Sequence, residues 1–142
     1  MKTYLDKNVY EAALERIAYC FQEFDNVLVA FSGGKDSGVL LNLCYNYADE
    51  HGLLDKLTMY HLDYEAQYQM TTEYVTRTFL EQFPGIRKMW YCVPIKAQSA
   101  CALGEPYWTP WDAAKKKLWV RAMPENPYVV HEGHRDVPCP HG

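Results

Sequence analysis

Residues 26–43, NVLVAFSGGKDSGVLLNL, constrain this chain more than any other stretch. The short apolar, β-branched run NVLVAF reads as a strand covered on both faces. From Ser37 onward the apolar residues recur at helical spacing. Between the two lies Ser32-Gly33-Gly34-Lys35-Asp36-Ser37. A strand that feeds a glycine turn opening a helix aims unpaired backbone N–H groups, and the positive end of the helix dipole, at one point in space. Gly33 and Gly34 let an anion approach the backbone, Ser32 and Ser37 add hydroxyl donors, and Lys35 adds a full charge. Phosphate is the guest that such a turn accommodates. A plain strand-to-helix turn capped by Asp36 or Ser37 is the simpler alternative. It leaves Lys35 beside a helix N-terminus that repels cations.

The rest of the chain continues this alternation. Val9, Ala13, Ile17, Cys20 and Phe24 predict a helix over about 8–24. A second helix is expected over about 37–51, with Val39, Leu40, Leu43, Cys44 and Tyr47 inward and Gly52 as its stop. KLTMYHLD predicts a strand, residues 65–83 a third helix ended by Pro84 and Gly85, and IRKMWYCVPI a third strand. Beyond Pro94 the pattern loosens: KAQSACALGEPYWTPW carries loop signals, DAAKKKLWVRA reads as one helix and NPYVVHE as one short strand. The expected fold class is α/β, a three-layer sandwich with a mainly parallel sheet and right-handed crossovers, as a single domain over 1–142. Ligands of such sheets bind outside the carboxyl ends of the strands.

A net charge of −4 argues against nucleic acid as a partner. The five cysteines include no C-x-x-C pair, and no run approaches the ~18 apolar residues of a membrane span. These features predict a reduced, cytoplasmic chain with no membrane partner.

Two familiar glycine loops fail on spacing. A Walker A loop needs Gly where Val29 stands and Ser or Thr where Asp36 stands, and no G-x-G-x-x-G occurs. SGGKDS between strand and helix instead resembles the pyrophosphate loop of the PP-loop ATP pyrophosphatase superfamily, which has the adenine nucleotide alpha-hydrolase-like fold. FDNVLVAFSGGKDSGVLLNL together with HLDYEAQY is similar to the phosphoadenosine phosphosulfate reductase family, which includes the small catalytic subunit of sulfate adenylyltransferase. That resemblance extends over about 8–95, and more weakly through YWTPWDAAKKKLWVR.

The resemblance implies ATP, or phosphoadenosine phosphosulfate, as the adenine nucleotide, magnesium as its companion, and a small oxyanion as acceptor. Ser32, Gly33, Gly34, Lys35, Asp36 and Ser37 would hold the phosphates, backbone groups near Leu62 would read the adenine, and Lys35, Asp36 and Asp63 would be catalytic. Asp63, at the second strand's end, would meet magnesium, a ribose hydroxyl or the acceptor; capping the third helix is its alternative use. Tyr64, Glu65 and Tyr68 would border the pocket, although Tyr68 with Val75 and Phe79 also reads as a core stripe. Lys117 and Arg121, four apart on the expected helix, would share a face suited to the far phosphates, a sulfate or a nucleic-acid backbone, with Arg121 the stronger candidate. A solvated basic face is the alternative for Lys115, Lys116 and Lys117.

His131, His134, Arg135 and His141 crowd the C-terminus near Cys139, in a spacing that does not match H-E-x-x-H. Sulfonucleotide reductases of the family attack sulfur with a cysteine in an E-C-G-L-H pattern, of which PCPHG keeps the cysteine and a histidine. Members of the family usually continue past this length with residues that complete the acceptor site, so the chain is expected to be a minimal version lacking that C-terminal extension; a homo-oligomer or a partner subunit is expected besides. Two rivals to an adenylating enzyme follow: sulfur transfer through Cys139, and a non-catalytic nucleotide-binding regulatory protein.

Overall fold

The computed structural model describes residues 6–99 and 103–134. Helix α1 spans Val9–Glu23 and starts at a reciprocal cap. The Asn8 side chain accepts from the Glu11 N–H at 2.9 Å, and the Glu11 carboxylate accepts from the Asn8 N–H at 3.0 Å. Strand β1 (Val27–Ala30), α2 (Lys35–Glu50), β2 (Leu57–Leu62), α3 (Gln69–Glu81) and β3 (Arg87–Cys92) follow in order. A two-strand hairpin, β4 (Ala97–Gln98) with β5 (Tyr107–Trp108), interrupts the region of loop signals, and β6 (Val129–His131) completes the main sheet.

The main sheet is parallel throughout, in the order β1–β2–β3–β6, and helices flank it. No helix among the described residues is long and apolar enough to cross a membrane. A strand order that advances steadily, joined by right-handed crossovers, puts successive helices on the same face. Contacts agree: Phe79 of α3 meets the rings of His61 and Trp90, while Tyr45 of α2 meets Phe83 just beyond α3. Leu57, Met59, His61 and Trp90 therefore point into the core with Leu41, Cys44, Ala48, Val75 and Phe79. Helix α1 packs on α2 through Phe21 and Tyr47. The opposite face carries Leu28, Tyr60, Leu62, Met89 and Tyr91; Leu28 is 59% exposed and the other four are half-buried. The described residues thus supply the α/β sheet and one helical layer of the expected sandwich.

Expectations shift in each of the three α-helices. In α2 the buried residues are Leu41, Cys44 and Ala48, whereas Val39 and Leu40 are exposed. Three consecutive apolar residues spread over about 200° of a helix, so spacing alone cannot choose which one faces in. In α1 the core contacts come from Ile17 and Phe21, and Val9 and Phe24 at the two ends are exposed. Helix α3 begins at Gln69 because Glu65 adopts φ +64° and is drawn into a buried polar cluster.

Residues 113–118 form a 3-10 stretch with non-helical geometry at Lys115, not the single helix expected there. Lys117 and Arg121 consequently share no helical face. The Asp112 side chain accepts from the Ala114 N–H, and tertiary bonds to the β2 end take over at Val120 and Arg121.

Candidate functional site

The turn after β1 sits at the carboxyl edge of the sheet and opens α2 at Lys35. Its own hydroxyls shape it. Ser37 Oγ donates to the Gly34 carbonyl at 2.9 Å and accepts from the Ser32 N–H at 3.2 Å, and the two serine hydroxyls lie 3.0 Å apart. The Gly34 N–H donates to Ser32 Oγ at 3.3 Å. The first backbone bond of the helix is Gly38 N–H to the Gly34 carbonyl, so the N–H groups of Gly33, Lys35, Asp36 and Ser37 donate to no acceptor among the described residues. Lys35 and Asp36 are exposed beside them. Four unspent donors and an ammonium group on one turn make an anion cradle.

Gly33 is the position where the backbone demands glycine. Its φ is +84°, and a Cβ there would stand 2.8 Å from Val75 Cγ2 and 3.0 Å from Thr71 Cγ2. Helix α3 therefore seats the loop by direct contact. Gly34 is extended (φ −85°), and a Cβ on it would meet only Ser32 Oγ, at 3.4 Å.

Next to the cradle lies an open cleft of about 640 Å³ lined by Ser32, Ala66, Gln67, Tyr68, Thr71 and Val120. Tyr68, 85% exposed, stands at this cleft and not in the core, whereas Val75 and Phe79 are fully buried. Leu62 ends β2 half-buried, on the face away from Asp63, and does not line the cleft.

Asp63 and Arg121 are brought together, but with each other. Asp63 is fully buried; its Oδ1 accepts from Arg121 Nη2 at 2.5 Å and from the Glu65 N–H at 2.8 Å, and its Oδ2 accepts from Trp90 Nε1 at 2.8 Å. Arg121 Nε donates to the Glu65 carbonyl at 2.9 Å, and the guanidinium lies 5.0 Å from the Trp111 ring centroid. The Glu65 carboxylate accepts from the N–H groups of Trp111 and Val120, each at 2.8 Å. Trp111 Nε1 donates to the Asp63 carbonyl at 2.8 Å. This cluster is a clasp that holds residues 111–121 to the end of β2. Only YWTPWDAAKKKLWVR as a whole hinted at it, since nothing in the spacing pairs Arg121 with a residue 58 positions earlier.

Both Asp63 oxygens are committed to protein donors in a fully buried site, and no group of three or more metal-ligating side chains converges among the described residues. Asp63 therefore does not fit a magnesium ion. It caps no helix either, since α3 follows Tyr68 without a side-chain cap. Arg135, Cys139 and His141 lie outside the described residues. His134 falls in a short 3-10 turn, Glu132–His134.

Burial pushes the Cys44 thiol up to about 11, with Cys20 nearby adding to the effect. Burial pushes Cys92 further up, beside the Asp63 carboxylate. Both are inert core thiols at neutral pH. Burial also holds His61 below the ordinary histidine value, against the raising pull of the Phe31 carbonyl, Asp63 and Gln67.

Comparison with known proteins adds one relative. The uncharacterized protein YbdN of Escherichia coli (strain K12) is 33% identical over 124 residues, which cover 86% of this chain and 29% of the relative. The chain thus spans less than a third of that protein's length. No protein-family model matches the chain.

Proposed function

We propose that the chain is a PP-loop nucleotide-binding enzyme of the phosphoadenosine phosphosulfate reductase type that binds ATP and breaks its α–β bond to adenylate a small oxyanion. The observation that carries this reading is the set of unspent N–H groups at Gly33, Lys35, Asp36 and Ser37 beside an exposed ammonium group. These donors suit a diphosphate, and the cleft along Gln67, Tyr68 and Thr71 gives the rest of a nucleotide room at the sheet's carboxyl edge.

Catalysis in this reading is electrostatic. The backbone cradle and Lys35 stabilise charge that builds on the departing pyrophosphate, and in-line attack by the acceptor needs positioning alone. Asp63 and Arg121 act in support, by fixing the 111–121 segment that brings Val120 to the cleft. Exchange of labelled pyrophosphate into ATP, measured across a panel of oxyanion acceptors, tests the proposal. Lys35→Ala should lower exchange by at least about 100-fold, the scale of a lost transition-state donor. No exchange with any acceptor, together with unchanged ATP affinity in Lys35→Ala, would remove it.

A second reading is a nucleotide-binding regulatory protein without turnover. The mutual neutralisation of Asp63 and Arg121 favours it, because that pairing leaves neither side chain for the reaction. Tight ATP binding by calorimetry with no product over hours would select it.

A further inference from the structure

His61 lies in the core, 1% exposed, between the rings of Phe79 and Trp90 at centroid distances of 6.4 and 5.1 Å. Its Nδ1 is 2.7 Å from the Phe31 carbonyl oxygen. A carbonyl only accepts, so Nδ1 carries the hydrogen and, in the neutral ring, Nε2 is a bare lone pair. The Gln67 side chain lies against this ring. As placed, His61 Nε2 and Gln67 Oε1 are both buried, and neither meets a donor among the described residues. Two acceptors left against one another are costly, and turning the Gln67 carboxamide by half a revolution removes the conflict. Its NH2 then donates to Nε2, and its carbonyl oxygen takes the other position on a residue that lines the cleft beside Ser32.

We infer that His61 fixes the Gln67 amide so that its carbonyl oxygen faces the cleft next to the phosphate cradle, where it reads one hydrogen-bond donor of the bound nucleoside. This inference rests on the nucleotide reading above. An imidazolium would satisfy the unturned amide instead, but the surroundings oppose it. The α3 and β3 elements offer His61 the rings of Phe79 and Trp90, and its two charged neighbours, Asp63 beyond β2 and Arg121, already neutralise each other. His61 is thus a positioning residue, and Gln67 the residue that selects. The donor on the ligand is an exocyclic amine or a ribose hydroxyl, and analogues separate the two.

Calorimetric titration of the full chain with ATP, inosine triphosphate, 2′-deoxy-ATP, 3′-deoxy-ATP and inorganic pyrophosphate tests the selecting role. Gln67→Met should weaken ATP about tenfold, the scale of one hydrogen bond, and leave pyrophosphate unchanged. A single one of the three analogues should bind the native chain about tenfold more weakly than ATP and lose nothing further in Gln67→Met. Equal losses for all three analogues, or no loss for ATP, overturn the inference.

The ring's tautomer is read without nucleotide, and the positioning role with it. Imidazole nitrogen resonances should show a neutral Nδ1–H ring at pH 7 with Nε2 accepting, and His61→Asn, which can still donate to the Phe31 carbonyl, should lower ATP affinity as Gln67→Met does. An Nε2–H tautomer or an imidazolium at pH 7 overturns the orientation. Failure of the native chain to bind pyrophosphate overturns the nucleotide reading and the selecting role with it, while the resonances still decide the orientation.

Discussion

Replacing Asp63 with asparagine separates a structural carboxylate from a catalytic one. The asparagine side chain would keep one acceptor and gain an NH2 group. In either amide orientation that NH2 faces a donor: the Trp90 indole N–H on one side, or the Arg121 guanidinium and the Glu65 N–H on the other. The substitution also strands the Arg121 charge. Breaking a buried pair by removing one partner costs ~3–5 kcal/mol. Arg121 keeps 22% of its side chain in contact with water, which places the expected loss near the lower end, about 3 kcal/mol. Urea unfolding followed by far-UV circular dichroism measures it, with coincident loss of tryptophan emission as the check that the transition is two-state. Adding Arg121→Met to Asp63→Asn should recover at least about 1 kcal/mol relative to the sum of the single changes, because the stranded charge is gone. A loss below about 1 kcal/mol, coupled with a large fall in ATP turnover, would refute the clasp and return Asp63 to the ligand.

Gly33→Ala should destabilise the chain by about 2–5 kcal/mol, combining left-handed strain with overpacking against Val75 and Thr71, and should abolish pyrophosphate binding; Gly34→Ala should cost under ~1 kcal/mol. Thermal melts and calorimetry of the two variants make the comparison, and equal effects would show that the α3 contact does not seat the loop. Stability should also fall in acid through His61. Its folded value lies below the ordinary 6.5, so as pH drops below about 6.5 the unfolded chain takes up a proton that the folded ring refuses. The contribution is complete above that pH and is lost on the way down to the folded value. Urea midpoints between about pH 5 and 7.5 should slope less in His61→Asn, and an unchanged slope would exclude His61 as the source.

The strand-to-helix turn was legible because every part of it is local. Six consecutive residues supply the turn, the hydroxyls, the charge and the helix start, and the free N–H groups of Gly33, Lys35, Asp36 and Ser37 follow from helix geometry alone. The alternation of strands and helices was legible for the same reason. The clasp was not. Asp63, Glu65, Trp111 and Arg121 meet across 46 to 58 positions, and each has an ordinary local explanation as a cap, a pocket edge, a core aromatic or a basic helix face. The expectation of one helix over 112–122 failed on the same account, since propensity was overridden by bonds from Val120 and Arg121 to Glu65. His61 and Gln67 fall within HLDYEAQY but carried no signal of their own, because a lone histidine in an apolar strand reads as core until its ring nitrogens are assigned partners.

Trp90, Trp111 and Trp119 crowd this one corner, and each indole N–H donates to an Asp63 or Asp112 oxygen. Three of the four indoles in the chain therefore have their N–H groups anchored at or beside the clasp, Trp90 from the apolar core and Trp111 and Trp119 edge to face with each other. Their emission colour and quenching report on this corner before any other part of the molecule, so the protein carries its own optical gauge of whether the clasp is seated.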